Sequence, residues 1–216
     1  RWVGNERGVA GETNWNTITP DTLFAGKAGI EKLLNEGDEN GTKWIPAEVD
    51  VSIRKGWFYH AEEDSTVKSG KTLFNLYLNS VGHGGNLLLN VPPNRKGLIA
   101  PEDSVALMNF RKIRDAAFKT NLFKNAISTT TQNEIAITLA KPVTLNTIQL
   151  QEQIQFGQRV IRFELYAGDK AEDLKKIATS TTIGRKKLIQ FPTVTAKYFK
   201  VKITEAKARP VMGAVA

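Results

Sequence analysis

No cysteine occurs among the 216 residues, and there are only two histidines and two methionines. Disulfides and thiolate metal sites are therefore excluded, and the redox compartment cannot be read. No apolar run approaches the roughly 18 residues that a membrane-spanning helix needs. The N-terminus shows no basic segment followed by an apolar core, an absence that says little. It opens instead in what reads as a strand, as a piece whose beginning lies elsewhere. Tryptophan is missing after Trp57 and histidine after His83. Chemistry that needs an indole or an imidazole thus belongs to the first half, and the second half is built for packing.

Acidic residues are scarce at one end. Residues 1–115 hold 14 Lys or Arg against 15 Asp or Glu, while residues 116–216 hold 16 against 7. The whole net charge of +8 thus comes from the second half. A basic half could meet nucleic acid, anionic glycans or a membrane surface. Its lysines, in KKIATSTTIGRKK and KYFKVKI, are interleaved with strand formers, as on the solvated face of a sheet. Aromatic interleaving of the kind that stacks bases is absent, so nucleic acid is not the expected partner.

The rhythm of the chain divides it near residues 118–124. In the first part, strands are expected near residues 1–3, at EVDVSI (Val49, Val51 and Ile53 inward) and at NLLLNV (Asn86–Val91), the last reading as buried on both faces. Helices are expected after Pro20 and Asp21 (with Leu23, Phe24, Ile30, Leu33 and Leu34 on its apolar side), over Ser65–Val81, and from Pro101 to Phe118. Strands alternating with helices imply a parallel sheet under covering helices. From Asn121 onward EIAITL, TIQLQE, VIRFELY, KLIQF and KYFKVKI alternate without a helix between them, which implies an antiparallel sandwich. The run SGKT resembles the end of a phosphate-binding loop, but Ser65 stands where that loop requires glycine.

In parallel α/β folds, reactive groups gather on loops after the strands. RWVGNERGVAGETNW puts Glu6 at such a point, between Gly4 and Gly8 and near Trp2 and Trp15. A carboxylate at a strand end beside tryptophans suits proton transfer on a ring-shaped substrate. The plain alternative is a surface glutamate in a turn. Trp57, in the aromatic loop after EVDVSI, is a second candidate, against simple core packing. His83 precedes its strand and fits the rule poorly.

Several stretches resemble one family: RWVGNERG, GETNW, WIPAEVDVSIRKGWFYH, NSVGHGGNLLLNVPPNRKGLI, GQRVIRFELYAGD and TTIGRKKL. Together they are similar to the C-terminal half of an α-L-fucosidase of glycoside hydrolase family 29, nearest the branch that prefers 1,3- or 1,4-linked fucose. The resemblance implies the C-terminal part of a (β/α)8-like barrel over residues 1–120. It implies a galactose-binding-like, discoidin-type β-sandwich over residues 121–216. It further implies a retaining exo-fucosidase using an Asp nucleophile and a Glu acid/base, a pair that retaining enzymes hold about 5–5.5 Å apart.

Carried over, Glu6 is the acid/base, with Glu12 its rival, and its task implies partial burial or a neighbouring negative charge. Trp57 faces the fucose methyl group, and Glu12 and Arg54 are sugar ligands. Trp44 and Trp15 either line further sugar subsites or pack. Fucosylated oligosaccharides are the implied partners, with no cofactor and no metal, and a secreted, periplasmic or cell-surface location follows. The nucleophile's segment lies upstream of Arg1, so the chain alone is expected to be inactive. Between Ala126 and Glu134 the family carries further strands and a loop where this sequence has only ISTTTQN. The alternative function is that of a non-catalytic glycan-binding module or an inactive fragment.

Overall fold

A computed structural model describes residues 1–22 and 27–216. Leu23 and Phe24, expected on a helical face, lie outside the described residues. The chain forms two compact units. The first comprises residues 1–11, 17–81 and 85–120. The second comprises residues 121–216 together with two short upstream segments, Glu12–Asn16 and Gly82–Gly84.

In the first unit, β1 (Thr17–Ile18), α1 (Glu31–Glu36) and β2 (Lys43–Trp44) are short, and β1 pairs β2 antiparallel. The site rests on β3 (Glu48–Ser52), α2 (Gly70–Ser80), β4 (Asn86–Asn90) and α3 (Pro101–Phe118). β3 and β4 pair in parallel, Glu48 opposite Asn86 and Ser52 opposite Asn90. The expected opening strand is reduced to one parallel bridge, Trp2 to Glu48. Gly4, at φ +81°, takes the chain out of the sheet there.

Alternation gives the sheet two unlike faces. Val49 and Val51 are buried on one side, and beyond the strand Ile53 packs with Leu73 of α2 and Ala106 of α3, joined by Leu76, Leu89 and Phe110. Fully buried side chains the size of Val49, Val51, Ile53 and Leu73 each stabilise the fold by roughly 1.5–3 kcal/mol. The other side carries Trp2, Glu48, Asp50 and Leu88. β4 is therefore not buried on both faces as its composition suggested: Leu88 is 52% exposed, and β3 is the one described strand that pairs with β4.

α2 starts later than its apolar pattern suggested. Residues 61–66 form a 3-10 turn, and Ser69 caps the helix by accepting from the Thr72 amide. Just inside, Gly70 lets α3 approach: a Cβ there would lie 2.7 Å from Asn109 Cβ and the Phe110 nitrogen. α3 opens as its sequence predicts, with Pro101 at its first turn beside Glu102 and Asp103.

The second unit is one antiparallel sheet of β5 (Ile127–Thr130), β6 (Glu134–Glu152), β7 (Val160–Gly168), β8 (Lys175–Thr181), β9 (Lys187–Ala206) and β10 (Met212–Val215). Its order is β10-β6-β9-β7-β8, with β5 also on β6. The separate alternating runs merge: EIAITL and TIQLQE are both in β6, KLIQF and KYFKVKI both in β9. Register shifts between Thr138 and Val143 and between Leu145 and Thr147 break these long strands, and such irregularities bend a sheet. Residues from both halves of β6, among them Ile135, Ile137, Ile148 and Leu150, accordingly share one core with Phe163 and Phe199.

Candidate functional site

Glu6 stands on a loop shaped by glycine. Gly8 has φ +73°, and a Cβ on it would lie 2.8 Å from Val51 Cγ1, so this position admits no side chain without movement. The Gly8 amide donates to the Asp50 carbonyl (3.0 Å), and the Val3 amide to that of Glu48 (3.0 Å). Asn5 braces the turn between them. Its Oδ1 accepts from the Arg7 amide (3.1 Å), and its Nδ2 donates to the Val9 carbonyl (3.1 Å). Glu6 itself is exposed rather than partly buried. One of its oxygens accepts a hydrogen bond from the Trp57 indole N–H at 3.0 Å.

Trp57 comes from the turn that follows β3, and this turn is held from several sides. Arg54 is wholly buried. Its guanidinium meets Asp103 at 3.1 Å and Asp64 at 2.8 Å, donates to the His60 carbonyl at 3.1 Å, and lies 4.6 Å from the Tyr59 ring centre. Burial works to lower its pKa, but the hydrogen bonds and charges of Asp64 and Asp103 prevail and raise it. Lys68 Nζ donates to the carbonyls of Ser52 (2.7 Å) and Arg54 (3.0 Å).

On the sheet side, Asn90 at the end of β4 donates to the Trp57 carbonyl (2.9 Å) and to Ser52 Oγ (3.0 Å). Ser52 Oγ donates in turn to the Gly56 carbonyl (2.6 Å). A second indole–carboxylate pair lies on the same sheet face, Trp2 donating to Asp50 at 2.6 Å.

Of the residues singled out from the sequence, the structure brings Glu6 and Trp57 together and leaves Arg54 and Glu12 elsewhere. Arg54 is engaged within the fold. Glu12 belongs to the second unit, where its carboxylate accepts from Ser180 Oγ (2.7 Å) and its carbonyl from Lys187 Nζ (2.5 Å). The residues after it are bound as closely. Thr13 and Thr181 share a hydrogen bond (2.8 Å), and the Asn14 amide donates to Thr182 Oγ1 (3.0 Å). Gln158 joins the Asn14 carbonyl (2.8 Å) to the Asn16 amide (3.0 Å). Trp15 is buried, with Lys207 Nζ 4.6 Å from its ring centre. Trp44 is 40% exposed on β2.

Asn90, Ser52 and Asp50 were not singled out from the sequence. Asp50 and Ser52 alternate with the valines of β3 and Asn90 ends the leucine run of β4, and a polar residue at such positions reads equally as a solvent-facing one. Among the described residues, no group of three His, Cys, Asp or Glu side chains could hold a metal ion.

A sheet whose loops join an exposed carboxylate to an indole is a setting for acid–base work on a sugar, and the known proteins that resemble the chain are glycoside hydrolases. The family model described as alpha-L-fucosidase matches residues 15–112. A putative alpha-L-fucosidase 1 of Oryza sativa subsp. japonica is 38% identical over 98% of this chain and 46% of its own length. A crystal structure of a glycoside hydrolase 29 family member from an unknown rumen bacterium has 36% identity and a TM-score of 0.92, covering 100% of this chain and 39% of that one. A Ruminococcus gnavus glycoside hydrolase 29 fucosidase, solved in complex with fucose, has 27% identity and a TM-score of 0.84, covering 100% and 50%. Together these findings support the alpha-L-fucosidase family for this chain. The chain spans about half the length of the curated relatives it matches.

Proposed function

We propose that this chain is the acid/base-bearing part of a retaining exo-α-L-fucosidase that removes terminal, 1,3- or 1,4-linked fucose from glycans. Residues 1–120 are the C-terminal part of a (β/α)8-like barrel. Residues 121–216 are a galactose-binding-like accessory module of the discoidin type. The Asp nucleophile lies upstream, and the enzyme works where such glycans occur, secreted, in the periplasm or at the cell surface.

Glu6 first protonates the glycosidic oxygen as fucose leaves for the nucleophile, then deprotonates the water that hydrolyses the glycosyl-enzyme. Trp57 offers apolar ring surface to the fucose methyl group. The observation that carries this reading is the 3.0 Å hydrogen bond that joins these two residues on the loops of a parallel sheet, in a chain similar to fucosidases along its length. The Ruminococcus gnavus relative's fucose complex supports a fucosyl substrate.

The test is Glu6→Ala in the intact enzyme, with an aryl fucoside and a fucosylated oligosaccharide compared. Turnover of the oligosaccharide, whose leaving group needs the proton, falls by a factor of about 10²–10⁴. The aryl fucoside is affected less and is rescued by azide. Unchanged turnover of both substrates overturns the assignment. The surplus positive charge of residues 116–216 favours a second reading, glycan binding without catalysis. Absence of heat in calorimetric titrations with fucosylated and sulfated oligosaccharides removes it.

A further inference from the structure

We propose that Asn90 is a positioning residue for Glu6, acting through the Trp57 indole. The inference rests on the reading of Glu6 as acid/base and extends it to a residue that touches no substrate.

The geometry is a relay. An exposed glutamate on a loop has several rotamers open to it, and fixing one requires a partner that is itself fixed. Glu6 receives one such bond, from Trp57 Nε1. Trp57 is 37% exposed and its neighbour Phe58 is 78% exposed, so packing alone does not hold this end of the turn. What holds it is the side-chain amide of Asn90. One nitrogen bonds both the Trp57 carbonyl (2.9 Å) and Ser52 Oγ (3.0 Å), which satisfies both of its hydrogens. Ser52 Oγ also accepts from the Arg54 amide at 3.3 Å while donating to Gly56, so the hydroxyl is fully engaged. At its other end the turn is anchored by Arg54 on Asp64 and Asp103.

Asn90 is rigidly placed because its own backbone is in the sheet. It pairs with Ser52 in register, and its carbonyl accepts from the Ile53 amide at 2.9 Å. The order of dependence is thus β4 end, Asn90 amide, Trp57 main chain, Trp57 indole, Glu6 carboxylate. Proton donation to a leaving group requires that carboxyl group at hydrogen-bond distance. A displacement on the order of 1 Å can cost about 10²-fold.

Asn90→Ala and Asn90→Gln in the intact enzyme test this, with the same two substrates and thermal unfolding as a check on folding. Asn90→Ala lowers the ratio of oligosaccharide to aryl-fucoside kcat by about tenfold, because a poor leaving group depends on the proton donor and an activated one does not. Asn90→Gln, which keeps an amide N–H, restores part of the ratio. Trp57→Phe, which keeps a ring and removes the N–H, lowers both rates and the oligosaccharide rate more. It decides the matter should Asn90→Ala fail to fold. Equal losses on both substrates, or no loss on either, overturn the proposal. If Glu6→Ala leaves both substrates untouched, the acid/base reading itself has failed, and the two failures are thereby told apart.

Discussion

Buried charge decides most at the scale of single residues. Arg54 and Asp103 are both wholly enclosed, so removing Arg54 leaves the Asp103 carboxylate buried without its cation. Arg54→Met is expected to destabilise the first unit by about 3–5 kcal/mol, read as a lower urea midpoint. Lys187 is the opposite case. Burial pushes its pKa down to about 8 from 10.5, with the charge of Glu12 working against that. Between those two values the unfolded chain binds more protons than the folded one, so stability rises with pH across that window. Below about 8 the cost of burying the ammonium is present in full. Its upper bound is about 3 kcal/mol. The second unit should therefore gain in unfolding free energy between pH 8 and about 10, and Lys187→Met should lack that gain. A parallel pH dependence in the variant contradicts this assignment.

Glu152 makes the same point with the other sign of charge. It is buried, which raises its pKa, against the pull of three amide donors: Arg159 (2.7 Å), Val160 (3.1 Å) and Gly184 (2.8 Å). Glu152→Gln sets an NH2 group where one of these amides needs an acceptor. A loss of about 1–3 kcal/mol in urea unfolding is expected.

Elements show what the sequence could and could not disclose. β3 was legible because Val49, Val51 and Ile53 alternate, and α3 because Pro101, Glu102 and Asp103 mark a helix start. β4 was misread: Leu87, Leu88 and Leu89 look alike in composition, but the exposure of Leu88 depends on what packs over its face of the sheet, a long-range fact. The start of α2 was set by the Ser69 cap rather than by the apolar stripe. At the candidate site, Glu6 is singled out by its glycine-flanked strand-end position and by resemblance, and its contact with Trp57 is a long-range fact that neither discloses. Glu12 stands close to Glu6 in sequence and Arg54 close to Trp57, yet Arg54 turns into the core and Glu12 is bound by β8 and β9. No local pattern distinguishes those fates. The Glu6 loop also carries its own prediction: Gly8→Ala drives a methyl group against Val51 at positive φ and lowers the thermal midpoint, with a cost of about 1–3 kcal/mol.

At the scale of the molecule, the proposed retaining mechanism needs two carboxylates, and the chain spans about half of its curated relatives. The purified 216-residue chain is accordingly expected to release no aryl alcohol from an aryl fucoside, checked by absorbance. Measurable turnover would mean that a second carboxylate of this chain serves as nucleophile. The match to the rice relative runs over 245 aligned positions, more than the chain contains, so that relative has residues this chain lacks.

The placement of Glu12–Asn16 within the second unit has a practical corollary for anyone dissecting the gene. A polypeptide begun at Asn121 would keep every strand of the β-domain but forfeit the five-residue ligand on which Ser180, Thr181, Thr182, Lys187 and Gln158 converge. Such a truncation should melt earlier than the same domain in its parent, and a synthetic ETNWN peptide supplied in trans should restore part of the difference.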